Sequence, residues 1–128
     1  MNRTVLIVED DKVIQNLIEL RLKSLGHTIC GKVDTGEEAI LLARKLNPDI
    51  IIMDIVLSGP MDGIEAAGII KKHTKSKIVF LTGHTEDAIL DRAKTVEPDG
   101  FILKPFQDDD LRIAFEFACM HQPVCSVR

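Results

Sequence analysis

Five short apolar runs alternate along the chain with stretches whose apolar residues recur every three or four positions. Val5-Leu6-Ile7-Val8, Thr28–Lys32, Ile50–Asp54, Ile78-Val79-Phe80-Leu81 and Phe101-Ile102-Leu103 read as strands. Most of these runs are continuously apolar instead of alternating, the mark of strands covered on both faces, as in parallel sheets. The second is polar-flanked and is expected at an edge. Between the runs, Ile14, Leu17, Ile18, Leu22 and Leu25 predict an inward helical face closed by Gly26. Thr35-Gly36-Glu37-Glu38 predicts a capping box, followed by inward Ala39, Ile40, Ala43 and Leu46 and a stop at Asn47-Pro48. A third helix is expected from about Asp62 to His73, with Ile64, Ala67 and Ile70 inward. Thr85-Glu86-Asp87 opens a short fourth helix, with Pro98 beyond its close, and Asp108–Met120 forms the last, with three acids in its first turn. Strand and helix thus alternate five times, which implies a parallel α/β sheet with right-handed crossovers and helices on both faces. A closed barrel of such units needs about 250 residues, so an open three-layer domain is expected.

Length and charge narrow the classes. The chain has 128 residues, one domain by size, able to bury roughly two-thirds of its unfolded surface. No apolar run approaches the roughly 20 residues that span a bilayer. Met1-Asn2-Arg3-Thr4 leads straight into Val5–Val8, too short for a signal-peptide core and without a small-residue cleavage site. The expected location is the cytoplasm, with no membrane association. A net charge of −4 argues against direct nucleic-acid binding by this domain. Cys30, Cys119 and Cys125 are an odd number without metal-ligand spacing and read as reduced thiols. The domain is expected to span residues 1–121, with 122–128 as a C-terminal tail that includes Cys125.

The polar residues that end these strands carry the chemistry. The first run ends in Glu9-Asp10-Asp11, the third in Asp54 and the fourth in Thr82, while Lys104-Pro105 follows the fifth. In a parallel sheet these ends share one edge, where open α/β sheets bind ligands. Several carboxylates in one crevice repel one another unless a cation lies among them. Hard oxygen donors suit Mg2+, which typically takes one or two carboxylates together with a phosphate oxygen. A hydroxyl and an ammonium nearby would hold the other oxygens of a transferred phosphoryl group, and with Asp54 as nucleophile the product is an aspartyl phosphate.

Ile7-Val8-Glu9-Asp10-Asp11, Ile52-Met53-Asp54, Met61-Asp62-Gly63-Ile64-Glu65, Leu81-Thr82-Gly83 and Phe101–Phe106 occur in order at these strand ends. Together they resemble a response-regulator receiver domain of two-component signalling, chemotaxis-receiver-like, over Arg3 to Met120. The resemblance implies a flavodoxin-like, doubly wound, five-stranded parallel sheet of order 2-1-3-4-5 with five helices. It implies that Asp54 accepts a phosphoryl group from a histidine kinase or histidine phosphotransfer protein. Glu9, Asp10 and Asp54 would hold Mg2+, Asp10 directly, with the backbone carbonyl of Val56 as a further ligand. Thr82 and Lys104 would bind the phosphoryl oxygens, and Phe101 would reorient with Thr82 on activation. Val56 and His84, each two residues beyond a site residue, would tune hydrolysis towards slow or moderate autodephosphorylation. Such a protein catalyses its own phosphorylation and dephosphorylation and is not a conventional enzyme. Its readout would be the face made by the fourth helix, fifth strand and fifth helix.

One departure concerns the loop after Asp54, where Leu57-Ser58-Gly59-Pro60 makes the approach to Asp62-Gly63 one residue longer than the commonest form of the family. Other readings stand beside the switch. Glu9, Asp10 and Asp11 are also good helix caps, Thr82 an ordinary strand-end hydroxyl, Lys104-Pro105 a turn and Phe101 a fixed core residue. Lys71–Lys77 reads as a solvated basic helix end. A Mg2+-dependent phosphohydrolase with an aspartyl-phosphate intermediate is the alternative enzyme, although it usually needs an acid where Val56 stands. A non-phosphorylated interaction module is the third reading. In the last helix, Leu111, Ala114, Phe115 and Ala118 form one apolar stripe, and Ile113, Phe117 and Met120 form a second on roughly the opposite side. The second stripe is expected either to serve a homodimer or partner surface, or to fray or pack under the tail.

Overall fold

The computed structural model describes residues 2–120, so the expected tail at 122–128, and Cys125 with it, lie outside the described residues. The strands are β1 (Thr4–Val8), β2 (Thr28–Val33), β3 (Ile50–Asp54), β4 (Lys77–Thr82) and β5 (Gly100–Leu103), and the helices between and after them are α1 (Lys12–Ser24), α2 (Gly36–Leu46), α3 (Gly63–His73), α4 (Asp87–Thr95) and α5 (Asp108–Met120). All pairings are parallel, in the order β2-β1-β3-β4-β5. This is the doubly wound sheet the alternation implied, with the polar-flanked β2 at an edge.

Successive residues of a strand point to opposite faces, so one apolar run supplies two cores. Leu6, Val8, Ile51, Met53, Ile78 and Phe80 face α2 and α3, whereas Val5, Ile7, Ile50, Ile52, Val79 and Leu81 face α1 and α5. All five residues of β3 are buried, as a strand paired on both sides and covered on both faces requires. Ala39, Ala43, Ala66 and Ala67 let α2 and α3 lie close on the sheet and on each other. On α5, Leu111, Phe115 and Ala118 are buried, and the second stripe is in the open: Ile113, Phe117 and Met120 are 56%, 53% and 68% exposed.

Three local expectations differ from the structure. Leu17 and Leu46 are exposed and not inward. α1 instead turns Gln15 inward, and its buried amide is satisfied by donating to the carbonyls of Glu9 and Val33, the latter also accepting from the Glu9 N–H. Leu46 lies at the end of α2, where Asn47 adopts a left-handed φ of 50° and turns the chain away. At Thr35 only half of the capping box forms. Thr35 Oγ1 accepts from the Glu38 N–H, but Glu38 reaches the N–H of Asp34 and not that of Thr35. A complete box occurs at Asp62 and Glu65, each side chain accepting the other's backbone N–H, at 2.9 and 3.0 Å.

Candidate functional site

Strand register gathers the acids. Val8 pairs with Met53, so Glu9 and Asp10 leave β1 beside Asp54, and Asp54 pairs in turn with Leu81, one residue before Thr82. Thr82 pairs with Leu103, and the Lys104 N–H then donates to the Thr82 carbonyl at 2.9 Å. Four segments far apart in sequence thereby meet at one sheet edge.

Lys104 bridges the acids. Its Nζ donates to Asp54 Oδ2 at 2.8 Å and lies 3.0 Å from Glu9 Oε1. Asp54 Oδ1 accepts from the Val56 N–H at 3.1 Å, which folds the start of the β3–α3 loop back over the carboxylate. Glu9 Oε2 accepts from the Asp11 N–H. Glu9 Oε1 is buried without a hydrogen bond, because the nearby ammonium makes an ion-pair contact without hydrogen-bond alignment. Burial first, and the charge of Asp54 second, push the Glu9 carboxyl up to about 7. Burial by itself would lower the pKa of Lys104, but Asp54 and Glu9 outweigh it and hold the ammonium above its usual range.

One oxygen each from Glu9, Asp10 and Asp54 lies within 4.8 Å of the others. All are hard oxygen donors, and Glu9 contributes a buried oxygen that lacks a hydrogen bond, so the donor set fits a small divalent cation that keeps some of its waters. Asp11 takes the bland role foreseen for it and caps α1 by accepting from the N–H groups of Val13 and Ile14. Glu9 and Asp10 do not cap that helix.

The remaining residues sit around this cluster. Thr82 is fully buried, and its hydroxyl accepts from the His84 N–H at 3.1 Å. The His84 side chain points outward, with Nδ1 3.7 Å from Glu86. Val56 is exposed. Phe101 is half-buried and meets Phe80 edge-on, with ring centroids 6.3 Å apart.

Two contributors carried no role in the sequence reading. Ser58, in the loop between β3 and α3, donates its hydroxyl to Asp10 Oδ2 at 2.9 Å. Gly63 starts α3 against the end of β3, where a Cβ would collide with the Asp54 carbonyl oxygen, and its N–H donates to the Ile55 carbonyl at 2.7 Å. The Asp62-Gly63 pair that marked the motif is therefore a close-approach signal, legible as a glycine directly after a helix cap. The Ser58 contact spans 48 positions and has no local signature.

The response regulator receiver domain family matches residues 5–116. The transcriptional regulatory protein PdtaR of Mycobacterium tuberculosis is 35% identical over 116 residues, covering 91% of this chain and 56% of that protein. YvrH of Bacillus subtilis, also a transcriptional regulatory protein, is 33% identical over 110 residues, covering 86% and 46%. The chain thus spans about half the length of the curated relatives it matches. Among solved structures, the signal receiver domain of a modulated diguanylate cyclase from Desulfovibrio desulfuricans superposes with a TM-score of 0.88 at 37% identity, covering 94% of this chain and 95% of that one. A chemotaxis protein of Vibrio cholerae superposes with a TM-score of 0.80 at 25% identity, covering 91% and 98%. Sheet order, strand-end acids and matched span agree, and the chain belongs to the response regulator receiver domain family.

Proposed function

We propose that this chain is a phosphorylation-dependent signalling switch in which Asp54 accepts a phosphoryl group from a histidine kinase or histidine phosphotransfer protein. The observation that carries the reading is the Lys104 bridge, 2.8 Å from Asp54 and 3.0 Å from Glu9, within a three-carboxylate cluster. A partly buried ammonium between two acids is what an acyl-phosphate site needs. It steadies the nucleophile beforehand and balances the phosphoryl charge afterwards.

In the transfer, an Asp54 carboxylate oxygen bonds to phosphorus while the bond from phosphorus to the donor's imidazole nitrogen breaks. The electron pair stays on that nitrogen. Lys104 and the Thr82 hydroxyl bind the phosphoryl oxygens. Thr82 now accepts from the His84 N–H, so its hydroxyl proton remains available to donate. Glu9, Asp10, Asp54 and the Val56 carbonyl are the residues that would hold Mg2+. When bound, that ion supplies the positive charge that lets three carboxylates and a phosphoryl group share one crevice.

Hydrolysis reverses the chemistry, with water attacking phosphorus and the Asp54 carboxylate leaving. Val56 and His84 flank that attack from exposed positions on the loops after Asp54 and Thr82. Neither is an acid, and Val56 offers no proton, which supports slow or moderate dephosphorylation. The readout is the face of α4, β5 and α5. It carries exposed Leu103, Ile113, Phe117 and Met120, an apolar surface suited to a partner or a second copy of the domain.

Incubation with acetyl phosphate and Mg2+ followed by intact mass tests the reading, with light scattering on the same samples. One added phosphate that vanishes in Asp54→Asn and on chelation of the metal is the expected result. Multiple-turnover release of phosphate would make the chain a phosphohydrolase, and no labelling would make it a passive interaction module. A monomer at high micromolar concentration in both states removes the dimer from the proposal.

A further inference from the structure

We infer that Ser58, supplied by the lengthened β3–α3 loop, is a positioning residue for the divalent-cation site and sets its affinity by holding Asp10. The inference rests on the reading that Glu9, Asp10 and Asp54 hold Mg2+, and deepens it.

The members of the acidic cluster are held unequally. Asp54 is gripped at both oxygens, by the Val56 N–H and by Lys104. Glu9 is buried and fixed through Oε2 by the Asp11 N–H. Asp10 is partly exposed, and among the described residues the Ser58 hydroxyl, at 2.9 Å, is the one hydrogen-bond donor to its carboxylate. Without Ser58 the side chain expected to meet the cation most directly would be the one free to turn. That donor uses Oδ2 and leaves Oδ1 for a ligand.

Ser58 is itself anchored, although its surface is exposed. Leu57 before it is buried in the core beside α2 and α3, and Ser58 makes an isolated parallel bridge with Thr35, the N-cap of α2. Gly59 after it adopts a φ of +90°, a left-handed value that turns the loop back towards α3. The longer loop is therefore pinned on either side of the hydroxyl.

Donors that orient a metal ligand from behind typically change metal affinity by about 10- to 100-fold when removed. Ser58 makes one neutral hydrogen bond, so the lower end applies. The intact chain is titrated with MgCl2 by calorimetry, comparing wild type, Ser58→Ala, Ser58→Thr and Asp10→Asn, and each metal-free protein is melted. The expected result is Mg2+ binding weakened about 10-fold in Ser58→Ala, restored in Ser58→Thr, with metal-free melting temperatures unchanged. Equal affinity in wild type and Ser58→Ala overturns the inference, as does a loss that Ser58→Thr fails to restore. A lower melting temperature with unaltered affinity makes the hydroxyl purely structural and also overturns it. A wild-type chain that binds no Mg2+, or an Asp10→Asn variant that binds it normally, overturns the cation reading itself and the Ser58 inference with it.

Discussion

Replacing Gly63 by alanine tests how tightly the helix after the acid site is seated on the strand that carries it. Propensity alone predicts a gain, because glycine at a helical position is about 0.5–1 kcal/mol worse than alanine. The structure predicts the opposite sign. A Cβ at Gly63 would strike the Asp54 carbonyl oxygen and approach the Asp54 carbonyl carbon and the Ile55 Cα to 3.0 Å. These are backbone atoms at the end of a fully buried strand and cannot swing aside as a side chain would. Helix α3 must retreat, stretching the 2.7 Å bond from the Gly63 N–H to the Ile55 carbonyl. Overpacking of this kind costs about 1–3 kcal/mol, and weakening the hydrogen bond up to about 1 kcal/mol more. Net destabilisation of about 0.5–3 kcal/mol follows once the propensity gain is subtracted. For a domain of this size that lowers the melting temperature by roughly 4 °C per kcal/mol. Gly68, in the same helix, is the control: a Cβ there meets only Val96 Cγ1, at 3.4 Å. Gly68→Ala should therefore stabilise by about 0.5–1 kcal/mol. Urea unfolding of the two variants measures both signs. A Gly63→Ala protein as stable as wild type, or more so, refutes the close-approach reading.

Two further outcomes follow from the charged groups. Burial above all, with the charge of Arg3 a lesser contribution, holds His27 below its usual value of 6.5 while its ring packs 5.4 Å from Phe115. The unfolded chain then binds the proton more readily, so this contribution to stability is complete above the unfolded value and declines as pH falls through it; the urea midpoint of wild type should drop more between pH 7.5 and 5.5 than that of His27→Gln, and parallel slopes would contradict this. Burial by itself would raise the Asp62 carboxyl, but Arg92 at 2.9 Å and the Glu65 N–H hold it below its usual range, so its stabilisation is present above the unfolded pKa and disappears as pH falls through the lower folded one. In unfolding measurements near neutral pH, Asp62→Ala should lose about 1 kcal/mol as a missing N-cap, whereas Arg92→Ala, half exposed, should lose less than about 1 kcal/mol; a larger loss for arginine would make the ion pair, not the cap, the main term.

What was legible in the sequence was periodic or terminal. β3 was read at its observed bounds because four apolar residues in a row have one reading when helical patterns flank them, and Asp54 at its end was exposed to inference by contrast. The site followed from topology: once the sheet is parallel, Glu9, Asp10, Asp54, Thr82 and Lys104 share an edge. Contacts that depend on where a side chain turns were not legible. Thr35–Glu38 and Asp62–Glu65 show the same spacing, yet only the second closes a full box, because Glu38 finds the Asp34 N–H first. Gln15 turns inward although polar, because its buried amide finds the Glu9 and Val33 carbonyls as acceptors, partners that come together only after folding. The two stripes of α5 were visible, but which one the sheet would cover was decided by the packing of Leu111 and Phe115.

The acid site and the face proposed to read it differ in how firmly they are built, and the difference has a direction. β1 and β3 are central, paired on both sides, and buried at almost every residue. β5 is a four-residue edge strand with Leu103 exposed, and α4 is a nine-residue helix with only Ala93 buried and no side-chain cap on its first turn. Local opening free energies are lowest where buried contacts are fewest. The weakly held edge is nevertheless tied to the rigid centre by side chains: Lys104, which follows β5 and grips Asp54, Arg92, which joins α4 to the cap of α3, and Asp99, just before β5, which pairs with Lys71 of α3 and accepts from the Ile78 N–H of β4. Phosphorylation would replace the oxygen that Lys104 holds with a bulkier dianion farther from β3. The strands flanking Asp54 have no slack to absorb that change. In the proposed switch the displacement is expected at β5 and α4, where Phe101 meets Phe80 only edge-on and half-buried, so that an altered charge would become an altered surface.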